Sequence, residues 1–323
     1  MANFLEGLNG AAMMVQGSTV LVEAAGGLAD AESAVPCTVE TSFQIASMSK
    51  QFTAAAALLL VQDGELELTD PISRWITWGP PRWREITVHH LLSHTSGLGQ
   101  WWAVPGFEDL SKAWPADEYL RRLAEIPLLS APGETFSYSS PGFLMAAKIV
   151  GAIAAEPYPS FLARRIFEPL AMNSTTSTST PAGPVARGHA GGERTPEIPD
   201  LAEQQGTGDI WSTVGDLTRY IRALGAGDLL DQDRLRAMVT AHASVDDPQW
   251  RMGPMAGTGY GYGMGLGTFG RAPIRFHGGD NPGYRSFFIW APEADLVLSV
   301  LCNDEAANVP ALTLQILSTA LEH

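Results

Sequence analysis

The run from Gln51 to Asp63, Gln-Phe-Thr-Ala-Ala-Ala-Ala-Leu-Leu-Leu-Val-Gln-Asp, constrains this chain more than any other stretch. Ala and Leu dominate it, and both are strong helix formers. Asp63-Gly64 marks its end, because glycine takes the left-handed conformation that closes a helix. The run is apolar nearly all round, so its helix belongs inside the molecule. The entrance to that helix is Ser47-Met48-Ser49-Lys50. This spacing sets the Ser47 hydroxyl and the Lys50 amine one turn apart on one face, at the end where backbone N–H groups lack partners. Polar groups at a buried helix tip cost stability unless they are paired. Desolvation and the positive end of the helix dipole both disfavour the ammonium form of Lys50. A neutral Lys50 can take a proton from Ser47, and the Ser47 N–H is placed to help hold an oxyanion. S-x-x-K also arises by chance, so the motif needs company.

Composition bounds the alternatives. A chain of 323 residues holds one large core or two lobes. Apolar content of 45% and charged content of 17% describe an ordinary globular protein. The formal charge of −15, with no basic run to offset it, argues against nucleic acid or an anionic membrane surface as partner. Cys37 and Cys302 form no disulfide framework and pair only if the fold brings them together. Met-Ala-Asn-Phe-Leu-Glu-Gly at the N-terminus lacks the basic and apolar regions of a signal peptide, and no segment approaches a membrane span. The expectation is a cytoplasmic protein, with a longer exported precursor left open.

The chain divides into three stretches. Residues 11–35 read as a β-hairpin turning at Gln16-Gly17-Ser18. The middle reads as helices near Ala116–Ile126, Pro141–Ala155 and Ser160–Phe167, with surface loops over Asn173–Thr180 and Pro181–Pro199. The last third reads as helices Val214–Leu224 and Asp231–Ala241, strands Tyr260–Phe269, Ile274–His277, Arg285–Trp290 and Leu296–Cys302, and a terminal helix near Ala306–Leu321. Strands at both ends with a helical middle suggest one sheet built from the two termini. Residues 1–75 and 206–323 would form that lobe, and residues 76–205 a mostly helical one, with a site in the crevice between.

Two further constellations bear on Ser47. In Phe136-Ser-Tyr138-Ser-Ser140-Pro141, Ser140 fits a helix N-cap and Pro141 the first helical position. Tyr138 just before it could relay a proton, or simply sit in the core with its hydroxyl on a carbonyl. In Phe276-His277-Gly278-Gly279-Asp280, two glycines let a backbone or ligand approach a strand. His277 titrates near about pH 6.5 when unperturbed, and the Asp280 N–H could be a second oxyanion donor. The alternative is a strand-end turn. Gly265-Leu-Gly267-Thr-Phe-Gly270 matches a dinucleotide loop in letters only, since Arg-Ala-Pro follows where a helix should. G-x-S-x-G and H-E-x-x-H are absent, and His90 with His94 has no third ligand close by, so neither metal nor cofactor is expected.

Together these blocks resemble the penicillin-recognising serine hydrolases, in the branch of class C β-lactamases, D-alanyl-D-alanine carboxypeptidases, D-aminopeptidases and related esterases. Phe43-Gln-Ile-Ala-Ser47-Met-Ser-Lys50 is similar to the nucleophile segment. Thr87-Val-His-His-Leu-Leu-Ser-His94-Thr-Ser-Gly-Leu98, Gly133-Glu-Thr-Phe-Ser-Tyr138-Ser-Ser140 and His277-Gly-Gly279 through Ser286 are similar to three more, in the right order. The resemblance implies an α/β (α+β) fold with an antiparallel sheet. It implies Ser47 as acylated nucleophile, Lys50 as base or base partner, Tyr138 as proton relay, His277 beside the substrate, and the Ser47 and Asp280 N–H groups as the oxyanion hole. Gly278, Gly279 and Ser140 would line the substrate. Which of Lys50 and Tyr138 takes the first proton stays open. His94 reads as structural, holding the Leu92–Leu98 turn. Two departures matter: Ser140 stands where the family has Asn, and His277 where the β-lactamases of this branch have Lys. Both move the expected substrate from a β-lactam toward a small carboxylic ester or a D-amino-acid amide. A penicillin-binding or sensor module that is acylated without turnover is the rival reading. Trp101 and Trp102 could wall an acyl pocket or serve packing. Oligomeric state is not legible.

Overall fold

The computed structural model describes residues 9–107, 115–196, 198 and 200–321. The N-terminal heptapeptide and positions 197 and 199 of the Gly- and Pro-rich run lie outside the described residues. The hairpin is β1 (Gly10–Gln16) and β2 (Thr19–Gly26), turned at Gly17, whose φ of 56° is left-handed. The C-terminal third supplies β3 (Ala243–Ser244), β4 (Arg251–Met252), β5 (Met255–Tyr260), β6 (Gly265–Phe269), β7 (Ala272–Asn281), β8 (Tyr284–Ala291) and β9 (Leu296–Cys302). They assemble in the order β3-β5-β6-β7-β8-β9-β1-β2, with β4 paired to β5. Gly10 of β1 lies opposite Cys302 of β9 in an antiparallel ladder, so the two ends of the chain close one sheet.

The apolar pattern of β9 follows from burial on both faces. Leu296, Leu298, Val300 and Cys302 face a core that α8 (Val309–Leu321) completes. Val297 and Leu301 face the larger core, which holds α1 (Ser49–Gln62) and α6 (Val214–Ala226). α1 is buried from Ser49 through Leu60, as its all-round apolar sequence requires, and Gly64 follows its end with φ 78°. Its run of small residues Ala54–Ala57 admits close neighbours all round. α4 (Ser140–Ala154), α5 (Tyr158–Leu162) and α7 (Gln232–Met238) pack on α1, and α2 (Val88–Leu92) packs on α4. α3 (Ala116–Leu123) precedes the loop that carries Tyr138. Among the described residues no helix is long and apolar enough to cross a membrane. Cys37 and Cys302 are free and buried.

Several boundaries differ from the sequence reading. Tyr260–Phe269 is two strands, because Gly261–Met264 forms a hairpin turn pressed on α1, where a Cβ at Gly263 would meet Lys50 O at 2.6 Å. Gly267 is small because a Cβ would come within 2.2 Å of Ala256 O on β5. α5 continues into a wide turn over Ala163–Phe167. The Ser- and Thr-rich run is not all surface loop. Thr176–Ser177 pairs with Ile210–Trp211 in a small sheet that also takes Phe43–Gln44. Thr175 and Ser177 are buried because their hydroxyls serve buried carboxylates, Asp216 at 2.9 Å and Asp209 at 2.5 Å.

Candidate active site

Ser47 follows Ala46, whose φ of 50° lies in the left-handed region that costs a non-glycine residue energy. Neighbours hold that strain in place. Ile45 N–H donates to Ile210 O at 2.9 Å, and Ser286 Oγ donates to Ile45 O at 2.8 Å. Gly279 of β7 comes so close that a Cβ there would lie 2.3 Å from Ile45 O. Ser47 therefore stands on the 3-10 turn Ala46–Met48, before α1 rather than within its first turn. The serine–lysine pairing survives the change, because a 3-10 turn eclipses residues three apart.

Lys50 is fully buried. Its Nζ lies 3.0 Å from Ser47 Oγ and donates to Thr207 O at 2.9 Å. Burial pushes its pKa down to about 7, against the opposing pull of the Asp209 charge. Nζ also sits 5.0 Å from the centre of the Tyr138 ring. The Tyr138 hydroxyl hydrogen-bonds Ser47, and burial pushes its pKa well up, so it is a neutral phenol at neutral pH. His94, at φ 57°, clamps this tyrosine: Ser137 N–H donates to His94 O at 2.8 Å, Ser139 N–H donates to His94 Nδ1 at 3.0 Å, and the two rings lie 4.2 Å apart. His94 thus does more than hold its own turn.

The cap of α4 is Ser139, not Ser140 as the sequence suggested. Ser139 is extended, and its Oγ accepts from Gly142 N–H at 3.3 Å. Pro141 is tolerated at the second helical position because that N–H needs no helical partner. Ser140 instead grips Gln100: its N–H donates to Gln100 Oε1 at 2.9 Å, and its Oγ accepts from Gln100 Nε2 at 3.2 Å.

β6 pairs with β7 only as far as Phe276, so the edge from His277 to Asn281 continues past it, beside the Ser47 turn. Gly279 faces that turn, whereas Gly278 faces Phe287 on the other side. His277 is buried, its ring 6.2 Å from that of Tyr138. Its Nδ1 donates to Gly278 O at 2.5 Å, and its Nε2 accepts from the Tyr260 hydroxyl at 3.2 Å. Burial pushes its pKa down to about 3, so it is neutral. The Asp280 carboxylate pairs with Arg285 at 2.6 Å. Of the two roles open to Trp101, packing is the one its contacts describe, with Phe107 at 5.4 Å and Tyr119 at 4.5 Å between ring centres. Trp102 is 71% exposed.

Serine, a fully buried lysine and tyrosine thus form one cluster beside the edge of an antiparallel sheet. The sequence matches the β-lactamase family over residues 1–321. The chain belongs to the β-lactamase family. It is similar to esterase EstB of Burkholderia gladioli, 35% identical over 181 residues that span 50% of this chain and 45% of the esterase. It is similar to penicillin-binding protein 4* of Bacillus subtilis (strain 168), 28% identical over 244 residues, 69% of this chain and 54% of that protein. The chain thus spans about half the length of these curated relatives. Among solved structures it is similar to the D-amino acid amidase of Ochrobactrum anthropi SV3, with a TM-score of 0.83, 28% identity, and coverage of 98% of this chain and 96% of that one.

Four residues that contact the candidate site escape sequence reading. Gln100 stands two residues beyond the Thr87–Leu98 segment, with nothing in the sequence to link it to Ser140. Thr207 acts through its carbonyl, which every residue has. Tyr260 sits at a strand end. Asp209 lies in Gly206-Thr-Gly-Asp, where glycine spacing before the Ile210 strand was the available signal.

Proposed function

We propose that this protein is a serine hydrolase acting through an acyl-enzyme on Ser47, with small carboxylic esters as its substrates. The observation that carries the reading is Lys50: a fully buried amine, 3.0 Å from Ser47 Oγ and held at about 7 by desolvation. Lys50 is the first base, because Tyr138 is a phenol at neutral pH and has no basic form to offer. Ser47 gives its proton to Nζ as Oγ attacks the carbonyl carbon. The Ser47 and Asp280 N–H groups hold the oxyanion. The ester C–O bond then breaks, and Tyr138 passes a proton to the departing alkoxide while Lys50 resupplies it. Water repeats the sequence on the acyl-enzyme.

The ester preference rests on His277. Both of its ring nitrogens are engaged within the protein and it carries no charge, so it offers no fixed cation to a β-lactam or peptide carboxylate. Arg285, the nearby cation, is spent on Asp280. The test is a panel of a chromogenic short-chain ester, a chromogenic cephalosporin and a D-amino-acid amide. Repeated ester turnover well above the other two is expected. Preferred amide or cephalosporin turnover would replace the ester by a D-amino-acid amidase or β-lactamase reading. A single stoichiometric burst with no turnover would make this a penicillin-binding module.

A further inference from the structure

We propose that Asp209 is a positioning residue for Lys50: its buried carboxylate closes the Gly206–Asp209 loop that aims Thr207 O at Nζ, and supplies the negative charge that holds the protonated amine. The inference rests on the reading of Lys50 as base. Asp209 is fully buried. Its Oδ1 accepts from Gly206 N–H at 2.8 Å, which ties the two ends of the four-residue loop together. Its Oδ2 accepts from Ser177 Oγ at 2.5 Å, and its backbone O from Thr178 N–H at 2.9 Å, which anchor the loop to the small sheet. Between these ties sits the Thr207 carbonyl that receives Nζ at 2.9 Å. The next glycine is pinned as well, since Gly208 O accepts from Asn281 Nδ2 at 3.0 Å.

A carboxylate out of water needs a compensating charge, and its three neutral donors, the Ser177 hydroxyl and the N–H groups of Gly206 and of Asp209 itself, compensate only in part. The groups that face Lys50 are Ser47 on its own turn, Tyr138 before α4, His94 after α2, His277 on β7 and Asp209 on the loop. Tyr158 on α5 faces Asp209. Burial keeps both histidines and both tyrosines neutral. Asp209, pushed up to about 6 by burial and eased by its hydrogen bonds from Ser177, its own N–H and Gly206 and then by the Lys50 charge, is, among the described residues that face Lys50, the group mostly ionised at neutral pH. A base must also carry the proton it takes. When Nζ accepts the Ser47 proton, the ammonium forms in a site stripped of water, and Asp209 is the group that stabilises it. It also keeps the amine basic enough to take the proton at all.

The test reads the lysine directly. The chain has three lysines, Lys50, Lys112 and Lys148, so the side-chain NMR signals of isotope-labelled lysine are few enough to assign by substitution. Asp209→Asn keeps an oxygen for Gly206 N–H and removes the charge. Its Lys50 midpoint is expected about one pH unit lower than in the parent, equivalent to about tenfold more neutral amine on the acid side. The acid limb of Ser47 phosphonylation should move with it. Asp209→Ala, which also opens the loop, should in addition slow phosphonylation on the plateau. Ser177→Ala provides a second route should Asp209→Asn not fold. The carboxylate there loses its O–H donor and protonates at higher pH, so the Lys50 midpoint falls part of the way. A Lys50 midpoint unchanged in the folded variants overturns the proposal. Shifted midpoints in a protein that never reacts at Ser47 uphold it while overturning the hydrolase reading.

Discussion

Gly279→Ala adds one methyl where the structure leaves no space for it. The new Cβ would lie 2.3 Å from both Ile45 O and Ser286 Oγ, and 3.0 Å from Ala46 Cβ. Ordinary contact begins at 3.4 Å, so strand and turn must part by about 1 Å. The Ser286 hydroxyl can rotate away, but Ile45 O is backbone and belongs to the strained turn that presents Ser47. Overpacking of this kind costs about 1–3 kcal/mol, and the loosened Ser286–Ile45 hydrogen bond about 1 kcal/mol more. The catalytic cost is larger in proportion, since a 1 Å misplacement of a reacting group costs on the order of 100-fold. Gly278→Ala is the matched control, because its methyl lies on the opposite face, 3.2 Å from the edge of the Phe287 ring and at an ordinary 3.7 Å from Ser286 O. The rate of Ser47 phosphonylation, followed by intact mass alongside thermal unfolding, separates the two variants. Gly279→Ala should fall about 100-fold and melt lower, with Gly278→Ala within a few-fold of the parent. Equal impairment of both, or parent-like acylation in Gly279→Ala, would refute the claim that β7 braces the nucleophile turn.

Tyr138→Phe removes the proposed proton carrier while keeping the ring against His94 and Lys50, so ester turnover should drop by about 10²–10⁴-fold; an undiminished rate removes Tyr138 from the chemistry. The pH dependence follows from Lys50, whose pKa is lowered to about 7. The base works unprotonated, so kcat/KM should rise about tenfold per unit up to that pH and level off above it, and a flat profile from about 5 to 8 would contradict a lysine base. His94→Asn keeps a residue tolerant of the left-handed φ and an acceptor for Ser139 N–H, whereas His94→Ala keeps neither. Both should lower kcat with little change in KM, the Ala variant more, and equal effects on KM would point to substrate binding instead.

The elements that sequence shows clearly are those whose burial is written in composition. The all-apolar α1, the doubly buried β9 and the Gly17 turn each follow from one local rule, and their positions match closely. That Ser47, Lys50 and Tyr138 come together was legible from their residue types, spacing and order; their chemical roles are what we propose. The rest fails for a common reason: its meaning is set by partners far away in the chain. The Gly261–Met264 turn reads as strand because its glycines answer to α1. Ser177 looks like loop composition because the carboxylate it serves is at Asp209. The choice of Ser139 over Ser140 as cap depends on Gln100, which claims Ser140 from forty positions away.

The most direct measurement is covalent labelling with a serine-directed phosphonate across pH, followed by peptide mapping. The account predicts one adduct per chain, located on Ser47, forming faster as pH rises through about 7, with none on the Ser47→Ala variant. An adduct mapped to another residue, or undiminished labelling of Ser47→Ala, would contradict it.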